Sequence, residues 1–398
     1  MNRKLAMIPV LALLVAGSAT AQTVIEAERI YTMAGDPIQD GVIVLEDGRI
    51  AEVGPADQVG IPEEADTYQA EVATPGLIDA RTSVGLAGMY NVEHDRDELD
   101  TTDPIQASLR ALDAYNAREG LVKWLRDLGV TTVHTGPAPG ALVSGQSLIA
   151  RTTGDTVDQA HIKDPHGVIF SLGPGVSQHF ESPGTRPKGA EMLRQALSDA
   201  QAHAENRGDG GRVDLGQEVL ADVVEGKTPA IFHANTAVDI MTALRLGEEF
   251  GLDLVLAGAA DAHKLIDEIA EADVPVLLHP TMIRPAGETA NAAFDTAMKL
   301  EEAGIPFAIT GGYEGYVPRA RVVLFEAGVA AANGLGREAA LASVTREPAR
   351  ILGLDDRLGS IESGKEANLV LYTGDPFEYV TQVCEVFIEG RLVSEDCQ

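Results

Sequence analysis

Between residue 75 and about residue 350 the chain repeats one unit, a short apolar run followed by ten or more residues of helical character. The runs GVTTVHT, PAIFHA, LDLVLAGA, VPVLLHP and IPFAITGG are examples. Such alternation points to parallel strands joined by crossover helices, because parallel neighbours need a long connection. The flanks read differently. Residues 23–72 alternate apolar and polar, with turn signals at Ala34-Gly35-Asp36 and Glu46-Asp47-Gly48, and GVIVLEDGRIAEVG has the pattern of a hairpin. Residues 357–398 are again strand-like, with a turn at Glu389-Gly390. The expected fold is α/β: a (β/α)8 barrel over 73–352 and a small β-sandwich domain formed by both chain ends, 22–72 and 353–398.

Residues 1–21 have the form of a secretory signal. Arg3 and Lys4 begin it, Leu5 to Gly17 are apolar, and Ala19-Thr20-Ala21 is a small-residue cleavage site. The apolar run is shorter than the roughly 20 residues a spanning helix needs, and no later segment is long and apolar enough. The expectation is a mature protein without a membrane span, periplasmic or otherwise exported. The chain carries 61 Asp and Glu against 30 Lys and Arg, a formal charge of −31. Such a surface repels phosphate backbones and anionic lipid, so nucleic acid and membrane surfaces are poor partners and a small molecule is the expected one. Self-association is left open. Cys384 and Cys397 are the only cysteines; in an oxidising compartment they could bridge, or both could stay free.

Several segments, in order, resemble one family. EVATPGLIDARTSVGL is similar to the first barrel strand of the amidohydrolase superfamily, where Pro-Gly-Leu-Ile-Asp is followed by His-x-His. SVTREPARILGL and LGSIESGKEANLVLYTGDP resemble the last helix and the return into the β-domain. RALDAYN, GVTTVHTGPAPGALVSGQSLIARTTG and RPKGAEMLRQAL resemble the imidazolonepropionase-like branch. The resemblance implies a hydrolase of C–N bonds with one or two divalent metals at the strand ends, lowering the pKa of a bound water and polarising the scissile carbonyl.

Carried onto this sequence, the ligand pattern is depleted. The His-x-His positions fall on Arg81 and Ser83. Strand four, VIFSLG, has neither Lys nor Glu, and Lys163 lies upstream of it. His233 occupies the strand-five position, Gly258 the strand-six position, and Gly311 or Gly312 the place of the strand-eight Asp. His233 is thus the single retained family ligand, whereas a catalytic zinc takes about three protein ligands. No cofactor is expected at the inherited site; the alternative is one divalent metal, zinc, at a relocated site.

His134, His233 and His279 end strands two, five and seven and are expected to share one mouth, with Glu314 after strand eight and His94, Asp95 and Glu98 in the long loop from Leu86 to Asp113. Three imidazoles and a carboxylate suit either a shifted metal or acid–base work without one. Arg81, buried at such a mouth, requires an anionic partner; Asp79 or a substrate carboxylate could supply it. As a fixed cation it could also stabilise a developing oxyanion. Arg81, His233 and His279 are the catalytic candidates. His134, Arg186, Tyr313 and Glu314 are the substrate-binding ones, with Lys188 beside Arg186. Three readings stay open: a hydrolase, a non-catalytic binding or scaffold protein, and a metal-independent enzyme.

Overall fold

The computed structural model describes residues 22–90, 92–207, 213–314 and 320–397; the signal-like segment, residues 1–21, lies outside them. The two chain ends meet in one sheet. Strands β1 (Thr23–Ile30), β2 (Ile38–Glu46), β3 (Arg49–Pro55) and β4 (Asp66–Pro75) come from the first end. After the central region the order resumes with β15 (Leu369–Tyr372), β16 (Val383–Ile388) and β17 (Arg391–Ser394). Their order is β17-β16-β15-β4-β1-β2-β3, so the junction of the two ends is the antiparallel pair β4–β15. Where a sandwich was expected, hydrogen bonding gives a single seven-stranded mixed sheet. Its alternation buries Ile25, Ile43, Leu369 and Phe387 together on one face. Both expected hairpin turns form: Asp47-Gly48 and Glu389-Gly390 all have positive φ, 50° and 79° in the first and 50° and 71° in the second, the geometry of a tight turn matched to strand twist.

The bridge between Cys384, in β16, and Cys397, beyond β17, is formed. It closes 13 residues of separation, for which loop entropy predicts a stabilisation of about 3 kcal/mol at most. Thermal melts with and without reductant should therefore differ by several degrees. Identical melts would mean that the thiols are unpaired.

The central region holds β5 (Leu77–Thr82), β6 (Val130–Thr135), β7 (Val143–Gln146), β8 (Leu148–Arg151), β9 (His161–Lys163), β10 (Val168–Ser171), β11 (Ala230–Ala234), β12 (Leu254–Gly258), β13 (Val276–Leu278) and β14 (Phe307–Ile309). They form two mixed sheets, β14-β13-β12-β11-β10-β7 and β5-β6-β8-β9. Neighbours from β10 to β14 are all parallel, as are β5 and β6. A parallel bridge between Thr82 and Gly312 links the end of β5 to the segment after β14. This is an α/β fold with helices such as Arg186–Glu205 and Ala237–Phe250 between the strands. Ile78, Ile169, Ile231, Ala257, Leu277 and Ala308, from six strands, are all members of a common buried cluster. Period-two alternation then puts Ser171, His233, His279 and Thr310 one layer further along that face.

No helix among the described residues is long and apolar enough to cross a membrane.

Candidate functional site

At the C-terminal ends of the parallel strands a cavity of about 170 Å³ is lined by Arg81, His233, Asn235, His279, Thr310 and Tyr313, among others. Among the described residues no Asp or Glu lines it. Larger hollows exist: one of about 630 Å³ lies on the β-sheet domain against Glu26, Glu28 and Glu71. That one is an open surface hollow whose lining includes Glu26, Glu28, Asp40, Glu71 and Glu385. The smaller cavity at the strand ends is where an open α/β sheet gathers side chains from several strands.

Arg81 is 6% exposed. Its guanidinium does not pair with Asp79. One Nη donates to the carbonyl of Thr82 at 2.7 Å and the other to the carbonyl of Pro137. The Asp79 carboxylate turns aside instead. It accepts from the backbone N–H of Gly311 at 2.9 Å and from that of Arg81 at 3.2 Å, and its second oxygen is buried without a partner. Burial pushes the Asp79 carboxyl up to about 7, against those two hydrogen bonds and the Arg81 charge. Burial also lowers Arg81, with Asp79 opposing, to about 10, so it stays cationic at neutral pH.

Both imidazoles are neutral. Burial, then Arg81 and His279, lowers His233 to about 3; burial lowers His279 against a hydrogen bond to Pro280. Their tautomers follow from their neighbours. His279 Nδ1 lies 2.7 Å from the carbonyl of Pro280, which can only accept, so Nδ1 carries the proton. His279 Nε2 is then a bare acceptor, buried and without a partner. His233 Nε2 faces the amide nitrogen of Asn235 at 3.1 Å. It accepts there, which leaves its proton on Nδ1. The Asn235 amide in turn hydrogen-bonds Glu288, which also accepts from the Gly175 N–H at 2.6 Å. The cavity thus offers a fixed cation, a neutral donor ring and an unused basic nitrogen.

The other candidates are elsewhere. His134 does end β6, but it is fully buried away from the cavity lining. Its Nδ1 lies 2.6 Å from the Ala80 carbonyl and its Nε2 2.8 Å from Ser147 Oγ, because β8 pairs directly across it, Ile149 against His134. Arg186 lies in a separate hollow, in a two-pronged ion pair with the buried Asp239 at 2.8 and 3.0 Å; Lys188 pairs with Glu191. Glu314 is buried against Arg321. Tyr313 does line the cavity, and its hydroxyl donates to Glu98 at 3.0 Å, which ties the long loop to the rim. His94 is exposed beside Asp95.

Asn235, Thr310 and Glu288 were not among the candidates. Asn235 was findable, since it stands two residues after His233. Among the described residues no group of three or more His, Cys, Asp or Glu side chains is placed to hold a metal ion.

Residues 187–394 match the family model described as amidohydrolase family. An imidazolonepropionase of Rhizobium rhizogenes is 26% identical over 89% of this chain and 92% of its own length. Another from Rhizorhabdus wittichii is 28% identical over 86% and 91%. Amidohydrolase tasK of Hapsidospora irregularis is 22% identical over 89% of this chain, which spans only 40% of that relative. Among solved structures, an amidohydrolase from Thermotoga maritima MSB8 superposes with a TM-score of 0.88 at 28% identity, covering 94% of this chain and 100% of that one. A zinc-bound adenosine deaminase from Xanthomonas campestris, at 0.57 and 19% over 94% and 93%, shares the fold.

Proposed function

The chain belongs to the amidohydrolase family, in its imidazolonepropionase-like branch, and on that premise we propose that the strand-end cavity hydrolyses a C–N bond of a small amide-like molecule without the metal the family uses. We read β5, β6, β7 and β10–β14 as the wall of a (β/α)8 barrel, a reading supported by the Thr82–Gly312 bridge between its first and last strands. We also read the chain as exported, for which the Cys384–Cys397 bridge argues.

The residues at the family's ligand positions do not fit a divalent cation. Arg81 brings a positive charge to the first of them. At Gly258 a Cβ would lie 2.6 Å from Asn235 Oδ1 and 2.9 Å from His233 Cε1; at Gly311 it would lie 2.2 Å from Asp79 Oδ2. Neighbouring groups have moved into the space that longer side chains would need.

One observation carries the catalytic reading. His279, whose Nε2 is buried without a partner, lines the same cavity as the Arg81 guanidinium, whose hydrogen bonds go to carbonyl oxygens. In the proposed step His279 Nε2 takes a proton from water as its oxygen attacks the substrate carbonyl carbon. The carbonyl π electrons move to oxygen, facing Arg81. On collapse the C–N bond breaks, and the proton held on His279 passes to the leaving nitrogen. A panel of cyclic amides and dipeptides tests this with chelator-treated protein. Turnover should persist without metal and fall about 100-fold or more in His279→Gln. Loss of turnover on chelation, restored by zinc, would sink the metal-free step. Saturable binding with no turnover would favour the non-catalytic binding protein.

A further inference from the structure

We propose that the place a divalent cation takes in this family has become an anion site in this chain, headed by Arg81. The argument is one of charge. Among the described residues that line the cavity, Arg81 is the one Arg or Lys side chain, and no carboxylate reaches the lining. Its two backbone contacts, at Thr82 and Pro137, fix the orientation of the guanidinium, and Asp79 opposes its charge only from outside the cavity lining. The two contacts use only two of its five N–H groups. A buried cation in that state is destabilising unless an anion joins it. The nearest acid in sequence, Asp79, is held away by the Gly311 and Arg81 N–H groups.

The surroundings select for size and shape. About 170 Å³ admits a carboxylate with a short carbon frame. Arg81 presents a flat fork that matches a carboxylate better than a spherical ion, and the neutral His233 ring adds a donor. His279 Nε2, with no protein partner, requires an N–H or O–H on the rest of the ligand. The anion is either a carboxylate belonging to the substrate or a free small anion bound beside it. This inference deepens the hydrolase reading by naming a charge on its ligand, yet anion binding stands whether or not turnover is found.

Isothermal titration of the metal-free full chain with sodium formate, sodium acetate, sodium chloride and zinc chloride, at constant ionic strength, tests the site. Formate and acetate should bind with one-to-one stoichiometry. Arg81→Met should weaken them at least tenfold, and Arg81→Lys should restore part of that loss. If chloride competes with formate at comparable affinity, the anion is a free one; if carboxylates prevail and gain from an added amide N–H, it is the substrate's own. Should Arg81→Met fail to fold, Arg81→Lys alone must still lower formate affinity several-fold by losing the fork, with the far-ultraviolet spectrum unchanged. Carboxylate affinity that is the same in folded Arg81 variants and wild type overturns the proposal. So does stoichiometric zinc binding that is lost in His233→Ala. Anion binding without hydrolysis refutes only the catalytic step, and hydrolysis without anion binding refutes only this site.

Discussion

Replacing Gly311 with Asp, the residue type that the family places on strand eight, is expected to cost more than about 4 kcal/mol of stability and to create no metal site. The new Cβ would stand 2.2 Å from Asp79 Oδ2, 3.2 Å from Asp79 Cγ and 2.7 Å from the backbone oxygen of Arg321. Backbone cannot retreat cheaply. Asp79 can move only by giving up its bonds to the Gly311 and Arg81 N–H groups, and it would then share a buried site with a second carboxylate. Urea titration should show the loss, and the double variant Gly311→Asp/Asp79→Ala should recover a large part of it, since one contact is shared. A single variant within 1 kcal/mol of wild type would show that this packing is not what it seems. The wider point is that one reversion cannot undo the change at this mouth, because Asp79 and residue 311 compete for the same volume.

Acid should unfold the protein steeply. His134, His166 and His233 are all depressed from their ordinary value chiefly by burial, His166 and His233 to about 3 and His134 well below its usual range. His134 is further lowered by His166, Arg81 and Lys163, and His166 by Lys163. A group whose folded pKa lies below its unfolded one leaves the unfolded chain holding the extra proton between the two values. Stability therefore falls as pH drops from about 6.5 toward 3. Asp79 acts in the opposite sense. Raised from 3.8 to about 7, it favours the folded state as pH drops through that window. The depressed histidines, His279 among them, outnumber the raised Asp79, so stability should fall as pH drops from about 6 toward 4. Denaturant midpoints across that range measure it. His166→Gln should flatten the slope by about one proton; an unchanged slope would mean that His166 does not titrate as its burial requires.

The strand pattern was legible because turn chemistry and apolar runs are local properties. Asp47-Gly48 and Glu389-Gly390 needed nothing beyond residues tolerant of positive φ. His233 and His279 could be placed at one mouth because each stands two residues beyond an inward apolar residue, Ile231 and Leu277. His134 obeys the same rule for chain position but not for environment. Its depth depends on β8 folding back across β6, a long-range pairing that no local signal announces. Arg186 was a substrate-binding candidate because its partner, Asp239, lies 53 residues away in the first turn of another helix, where an acid is already explained by the helix terminus. Asp79 was one of two counter-charges considered for Arg81, because they are two apart on one strand. The register irregularity between Asp79 and Thr82 breaks that alternation, and the carboxylate ends beside Gly311 instead.

The joined sheet has a consequence for biogenesis. Strand β4 gets its outer neighbour only when β15 arrives, after the entire central region has been made. Until then β4 presents a bare edge of the kind that invites pairing with other chains. The first piece synthesised is thus among the last completed, and a high sequence separation of this sort slows closure. On the proposal that the chain is exported, that delay would leave the β4 edge open until the trailing strands are delivered. A truncation ending before Leu369 should consequently aggregate rather than fold into a smaller version of the protein.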